Sequence, residues 1–408
     1  MRLGILTENK NILIVTECFY PEEFKINDIA LSWKDRGYGV DVLTLAPTYP
    51  LGKVFLGFTN GLFKREEYQG INIIRMHAVT GYRDSLVKKM LKYLNFMVLG
   101  SLAAIFIGRK YDYVFGFNMS SLTNMLPAVL IRKLYKKPTT FWVQDVWPDS
   151  VYAYGFKKTK ILSKILNLFV GFIYRNISTI AISGKGFESK LSCYVTKDLK
   201  FHYLPNWAED LDDSVMPKNL GKSKEITHFT FAGNIGKVQN LENIVNAFLL
   251  LPKKYQEKSQ LNIIGDGSNL DNLKLLANNN PAIVFHGQKP RPQMSGYYMA
   301  SDFLIISLID QPIFSVTVPS KMQTYIAAKK PILAVINGDT AEIVRDNNLG
   351  ICANPSSIES ITKALKRCIK MNRLERQSFT KENNRLLTTI FNKEKTINRL
   401  CELTIGKG

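Results

Sequence analysis

Cysteine and histidine are sparse in this 408-residue chain, and their placement removes several classes of function. The five cysteines, Cys18, Cys193, Cys352, Cys368 and Cys401, are odd in number, scattered and without a C-x-x-C pair. That pattern argues against a zinc ribbon or a disulfide framework and for a reducing compartment. The four histidines, His77, His202, His228 and His286, are equally dispersed, so no metal-site spacing appears and no metal is expected. Long apolar runs are missing as well. The longest, Tyr93 to Ile107, is broken by Asn95 and falls short of the roughly 20 residues of a spanning helix, so it reads as a core helix. The first ten residues are short and polar, which is not the pattern of a signal peptide. No solenoid-length repeat, low-complexity tract, zinc finger or RNP sequence occurs, and nucleic acid is not expected as a partner.

Acidic residues are scarce in one region only. Residues 1–82 hold nine basic and nine acidic side chains, whereas residues 83–200 hold nineteen basic and six acidic. The formal net charge of +20 is therefore concentrated. Lys88, Lys89 and Lys92, then Arg132, Lys133, Lys136 and Lys137, then Lys157, Lys158, Lys160 and Lys164 each lie beside aliphatic residues at helical spacing. Such helices suit an anionic membrane surface, or form the solvated side of helices whose apolar side meets a core.

What the chain has in quantity is strand–helix alternation. At 46% hydrophobic and 22% charged it reads as globular, with a length suited to about two or three domains. Strand-like runs at 11–16, 40–45, 71–76, 112–117, 139–143 and 178–182 are separated by helical patterns at 25–36, 86–108, 121–135 and 160–175. A second series has strands near 226–232, 261–264, 282–286, 302–307, 331–335 and 350–352. Its helices lie near 240–250, 270–278, 293–300, 320–328, 340–346 and 358–370. The pattern predicts an α/β protein of two doubly wound, Rossmann-like domains. The expected division is 1–205, 206–390 and a helical tail 391–408 packing back on the first domain. The Pro-, Asp- and Lys-rich stretch 201–225 is the expected hinge.

Two turns stand out. In HFTFAGNIGKVQ (228–239) a β-branched run leads into Gly233 and Gly236, Lys237 follows, and a helical pattern begins at Leu241. In LNIIGDGSNLDNLKLLA (261–277) a strand leads into Gly265 and Gly267 and then a helix, with Ser268 near its start. Strand, glycine turn and helix start form an anion site, because free N–H groups and the helix dipole point at the ligand. Two such turns open on one edge of a parallel sheet. An ordinary βα turn has the same sequence pattern. Neither turn is a Walker A loop, since Val238 follows Gly236-Lys237, and neither is a full G-x-G-x-x-G.

Six segments in order, 19–52, 63–75, 141–150, 204–209, 231–241 and 318–333, resemble the GT-B glycosyltransferases of the retaining family-4 type. Within these the similarity is to the WbuB-like (L-fucosamine transferase-like) branch of O-antigen and capsule sugar transferases. The resemblance implies two domains facing a central cleft, a UDP-sugar donor held by the second and a lipid-linked, polyprenyl-diphosphate saccharide acceptor held by the first. It puts Gly233 and Asn234 in the turn that faces the donor diphosphate; Gly236, Gln239, Gly265 and Gly267 are expected at the donor with them, and Lys237 and Lys321 are the candidate cations of this chain. Arg is frequent in the family in the place of Asn234, and Lys in that of Gln239. The family's two glutamates, separated by seven residues, correspond to Val316 and Thr324. This leaves Gln323 and Thr324 for the ribose and the backbone of 314–318 for the sugar. Ser320 is expected to cap the helix 321–328, and His286 falls in the segment where backbone groups read the base, so that a structural role is the expected one for this lone histidine.

In the first domain the resemblance implies that Asp145 hydrogen-bonds the acceptor hydroxyl. Trp147 offers a flat face to the acceptor, and Glu22, Asn27 and Asp149 complete its site, with Arg83 and Lys88 either near an acceptor diphosphate or plain surface charges. Asp149 has helix capping as its ordinary role. Lys237 and Lys321 would meet the charge that grows on the leaving diphosphate, with no cofactor. The D-x-D string Asp210-Leu211-Asp212 lies in the hinge and reads as a solvated loop. The expected location is cytoplasmic, peripheral at the inner face of the cell membrane. A nucleotide-sugar 2-epimerase of the same fold and a non-catalytic basic membrane- or polyanion-binding protein are the competing readings.

Overall fold

NILIV at 11–15 is apolar after Asn11, and a run that short and that rich in branched residues forms a strand buried on both faces. The computed structural model shows this: β1 (Asn11–Val15) is fully buried beyond its first residue. The structure describes residues 10–82, 85–119, 121–153, 155–209, 211, 214–218, 220 and 226–406. Arg83, Asp210 and Asp212 lie outside the described residues.

Unit 1 comprises the residues up to Ser183, Phe187–Leu204 and those from Ile397 on. Its strands are β1, β2 (Gly39–Leu45), β3 (Phe63–Tyr68), β4 (Ile71–Met76), β5 (Tyr113–Phe117), β6 (Thr139–Val143), β7 (Thr179–Ile182) and β8 (Phe201–Tyr203). They form one sheet in the order β3-β4-β2-β1-β5-β6-β7-β8. All neighbours are parallel except β3, which runs antiparallel to β4. Unit 2 comprises Gly184–Gly186 and Pro205–Thr396. Its strands are β9 (Thr227–Ala232), β10 (Ser259–Ile264), β11 (Ile283–Gly287), β12 (Phe303–Ser307), β13 (Ile332–Val335) and β14 (Gly350–Ala353), in the order β11-β10-β9-β12-β13-β14. In each sheet the chain builds outward on one side of a first strand and then crosses to the other. The switch points are β1/β5 and β9/β12, and ligands of doubly wound folds bind beyond the carboxyl ends of strands at such points.

Two expectations are corrected at this level. The strand β3 was not foreseen, because FKREEY carries four charges; at the outer edge of a sheet those charges block further pairing. The stretch 201–225 is not irregular throughout, since it opens with β8 and buries Trp207.

The helix Leu86–Ile107 departs furthest from its reading as a core helix. Ser85 caps it by accepting the Lys88 N–H. Lys92, Phe96, Gly100 and Ala104, spaced by four, form its buried face. Val87, Leu91, Leu94, Val98, Leu102 and Ile105 form a second apolar stripe, and that stripe is exposed. Residues Val87–Lys110 are long and apolar enough to cross a membrane by length and composition. The helix Lys160–Arg175, capped by Thr159, repeats the pattern with Ile161, Ile165, Leu168 and Phe172 exposed.

Candidate functional site

At the β9/β12 switch point the two glycine turns are stitched together. The Gly233 N–H donates to the Ile264 carbonyl and the Ile235 N–H to the Asp266 carbonyl, both at 2.9 Å. The Asn269 N–H returns a bond to Ile235 at 2.9 Å. The parallel ladder thus continues past the strands through both turns. Gly265 (φ +138°) is where they touch, since a Cβ there would stand 1.9 Å from the Gly233 carbonyl oxygen. A Cβ at Gly267 would stand 2.4 Å from the Ile235 carbonyl oxygen. Both glycines, expected at the donor, are accounted for by this backbone contact instead.

The turn is not the helix-start cradle that its sequence suggests. A 3-10 turn, Lys237–Gln239, precedes the helix Leu241–Leu249, whose N-cap Asn240 is left-handed. Gln239 Oε1 accepts the Gly236 N–H at 2.9 Å and Asn234 Nδ2 at 3.4 Å, so its oxygen holds the turn. Lys237 is exposed on that turn.

Lys321 is better placed. Its Nζ lies 3.8 Å from the centre of the Phe231 ring, and a Cβ at Gly233 would meet its Cε at 2.6 Å and its Nζ at 3.0 Å. Burial pushes its ammonium down to about 7.

The neighbouring expectations change. Ser320 is already helical (φ −58°, ψ −22°) and its side chain caps nothing. Gln323 is 2% exposed, with its amide nitrogen 3.2 and 3.0 Å from the carbonyls of Pro319 and Ser320, so it braces the turn and is closed to a ribose. The Thr324 hydroxyl donates to the Ser320 carbonyl at 3.3 Å. The N–H groups of Phe314, Ser315 and Thr317 bond within 311–317, which takes them from a sugar. His286 Nε2 is 2.9 Å from Asn262 Oδ1, its ring meets Tyr297 edge-on, and burial lowers its pKa. These are the contacts of a structural histidine.

At the β1/β5 switch point of unit 1 the described residues include a buried charged cluster. Glu17, two residues past β1, is 6% exposed and its Oε1 has no hydrogen-bond partner. Burial pushes its carboxyl up to about 7, against the pull of Lys92. Lys92 is buried with its Nζ 4.5 Å from the centre of the Tyr82 ring. Burial disfavours its charge, but Cys18, Glu17, Tyr82 and Glu22 outweigh burial and hold it above the usual lysine range. At the end of β6 Asp145 accepts the Val146 N–H at 3.0 Å. Burial pushes it up to about 7, against Ser150, the Val146 N–H and Lys89. Sequence reading found Asp145 but missed Glu17 and misplaced Lys92 on the surface. The available signals were the position of Glu17 just past a buried strand and the four-residue spacing of Lys92 from Phe96.

The other residues expected at the acceptor have different occupations. Glu22 is buried and clamps loops: Oε1 accepts from the Thr48 and Tyr49 N–H groups at 2.9 and 2.6 Å, and Oε2 from Phe19 at 3.3 Å. Asn27 Nδ2 donates to the Glu22 carbonyl at 2.7 Å. Asp149 starts the helix Asp149–Ala153 and pairs with Lys190 at 3.5 Å. Trp147 is only 9% exposed, so little of its face is open.

Residues 212–386 match the family model described as Glycosyl transferases group 1. That stretch is similar to the group 1 glycosyltransferases. Both glycine turns, Lys321 and the β9/β12 switch point fall inside the matched stretch. The chain is similar to the probable glycosyltransferase WbjE of Pseudomonas aeruginosa, with 26% identity over 63% of the chain and 66% of that relative. The chain thus spans just under two thirds of the relative's length. In fold it is similar to a trehalose-6-phosphate protein of Escherichia coli bound with UDP-2-fluoro glucose, at a TM-score of 0.72 and 11% identity over 97% and 99% of the two chains. It is also similar to WaaG, a glycosyltransferase involved in lipopolysaccharide biosynthesis, at a TM-score of 0.65 and 14% identity over 97% and 100%. The two units are the Rossmann-like α/β domains of the GT-B glycosyltransferase fold.

Proposed function

We propose that this protein is a retaining glycosyltransferase of bacterial surface polysaccharide assembly (O-antigen or capsule). It moves a sugar from a UDP-sugar to a lipid-linked saccharide on a polyprenyl diphosphate. One observation carries the donor half of this reading: Lys321, with burial as the one influence on its charge, is seated against Gly233 at the β9/β12 switch point. A neighbour of the same fold is bound with UDP-2-fluoro glucose, which supports a uridine diphosphate. WaaG, also of this fold, is involved in lipopolysaccharide biosynthesis. N-acetyl-L-fucosamine or a related amino or deoxy sugar, and retention, rest on the WbuB-like resemblance.

As the anomeric C–O bond breaks, charge grows on the departing diphosphate, where Lys321 and Lys237 meet it. The acceptor hydroxyl bonds to the sugar and its proton passes to the leaving phosphate, while Asp145 orients that hydroxyl. UDP, GDP and a short RNA titrated in a melting assay at two salt concentrations test the assignment. A saturable rise with UDP that survives salt supports it. A salt-sensitive rise with RNA alone sinks it. Within that assay Lys237→Ala is expected to weaken UDP severalfold, and an unchanged midpoint would remove Lys237 from the site.

The acceptor lipid fits the surface of unit 1. The exposed stripes of Leu86–Ile107 and Lys160–Arg175 lie among Lys88, Lys89, Lys160 and Lys164, a composition that enters an anionic interface. This composition supports a peripheral enzyme at the inner face of the cell membrane as part of the same reading. Leu91→Glu combined with Leu94→Glu should lower co-sedimentation with phosphatidylglycerol vesicles more than about tenfold, with an unchanged melting point. Undiminished sedimentation would place the lipid contact elsewhere.

A further inference from the structure

This inference rests on the acceptor reading above. Folded proteins leave few buried polar groups without a partner, and each such group calls for an explanation. At the β1/β5 switch point three of them come together. Val15 pairs with Gly116 at the ends of the two strands, and the same register carried two residues on sets Glu17 beside Asn118. Asn118 is fully buried. Its Oδ1 accepts the Gln144 N–H at 3.0 Å, which fixes the amide and leaves Nδ2 without a partner. Asn124 is fully buried as well. Its Nδ2 donates at 2.9 Å to the carbonyl of Phe117, the last residue of β5, and its Oδ1 is unpartnered. Glu17 adds the unpartnered Oε1. Lys92, buried over the Tyr82 ring, brings an ammonium to the same carboxyl.

These atoms lack a partner that both donates and accepts. Asn118 Nδ2 and the Lys92 ammonium need an acceptor, whereas Asn124 Oδ1 and a Glu17 carboxylate need a donor. A phosphate would serve the first two but meet Glu17 and Glu22. An added ammonium would serve the oxygens but meet Lys92. A neutral hydroxyl serves both kinds, and it is carried either by ordered water or by a sugar. Two observations favour the sugar. The group stands beyond the carboxyl ends of strands at a switch point, where ligands of doubly wound folds bind. Asp145, assigned to the attacking hydroxyl, follows β6, and β6 and β1 are the two neighbours of β5. The strands that carry Glu17 and Asp145 are therefore about 10 Å apart, two strand spacings. One pyranose with its hydroxyls bridges that span.

We propose that Glu17, Asn118 and Lys92 form a specificity subsite for the acceptor, which buries a second hydroxyl of the sugar ring whose first hydroxyl is held by Asp145. The orphaned atoms are out of contact with solvent, so the hydroxyl that satisfies them is buried too. A sugar lacking it leaves a carboxylate, an amide and an ammonium unsatisfied, and such a site rejects the deoxy analogue strongly.

Binding is measured by calorimetry with UDP present, using geranyl diphosphates that carry glucose, galactose or N-acetylglucosamine. The tightest of these is then compared with its monodeoxy analogues, one hydroxyl removed at a time. One analogue, apart from the one lacking the attacking hydroxyl, should bind the native protein at least about tenfold more weakly than its parent. Glu17→Met replaces the carboxyl by an apolar side chain of similar size, and in it that analogue and its parent should bind within about twofold of each other. The melting point and the UDP melting shift report that the variant is folded. If Glu17→Met does not fold, Glu17→Gln keeps the shape, and its discrimination should fall severalfold below the native value. Discrimination that is absent in the native protein, or unchanged in the variant, overturns the proposal and leaves ordered water as the partner of these atoms. If none of the geranyl compounds binds while UDP still raises the melting point, the lipid-linked acceptor reading fails, and this inference with it.

Discussion

Gly265→Ala is expected to destabilise the second unit by more than about 4 kcal/mol, an exceptional loss for one methyl group. The added Cβ would stand 1.9 Å from the Gly233 carbonyl oxygen, on a residue whose φ of +138° an alanine avoids. Nor is the oxygen free to withdraw. Gly233 and Ile235 both donate across the same seam, and Asn269 donates back, so relieving the clash breaks bonds between the two turns. Guanidinium unfolding followed by far-UV circular dichroism measures the loss. Gly287→Ala is the control, because Gly287 also has positive φ (+67°) but nothing lies within 4 Å of its added Cβ. The control should lose only about 1–2 kcal/mol. Equal midpoints for the two variants would mean that backbone conformation, and not contact between the turns, requires glycine at 265.

Asp145→Asn should make the protein more stable at about pH 8 and a poorer enzyme. The folded carboxyl titrates near 7, against a usual value of 3.8. Between those values the folded state binds the proton more readily than the unfolded chain. Stability therefore falls as pH rises through that window, and the full penalty of a buried carboxylate is present above about 7. Asparagine removes the charge, and the gain at pH 8 is on the order of 2 kcal/mol once solvent screening is allowed for. Near pH 4 the gain should vanish, because both side chains are then neutral. Transfer should fall roughly ten- to a hundredfold, the loss of one hydrogen bond to a charged group, with the UDP melting shift unchanged. A variant that is no more stable at pH 8 than at pH 4 would show that Asp145 is adequately solvated. Normal transfer would remove it from the acceptor.

The alternation was legible because short continuous apolar runs and the 3.6-residue period of amphipathic helices survive in the sequence without tertiary help. The strand β3 was not, because its charges make sense only at a sheet edge. Partnership at long range was the harder problem. Glu22 has the composition of a ligand, a carboxylate on the loop after the first strand, yet its partners are N–H groups as far on as Thr48 and Tyr49. Gln323 likewise turns back on Pro319 and Ser320. Lys88 and Lys92 are chemically identical, and only the phase of their helix puts one on the surface and the other beside Glu17. That same phase produces the exposed apolar stripe, which the sequence pattern read as core. Lys321 was legible as a cation through resemblance. Its solitude over Phe231 was not, since an absent partner leaves no trace in a string of residues.

The chain does not divide where it first changes unit. Unit 1 takes its last helical turns from the residues beginning at Ile397, where Leu400 is fully buried and the Leu403 carbonyl accepts the Thr140 hydroxyl at 3.2 Å. A fragment ending at Leu204 therefore carries all eight strands of its sheet but leaves β6 without this covering. Synthesis on the ribosome meets the same constraint: the first unit waits for nearly the whole chain to emerge before it is complete.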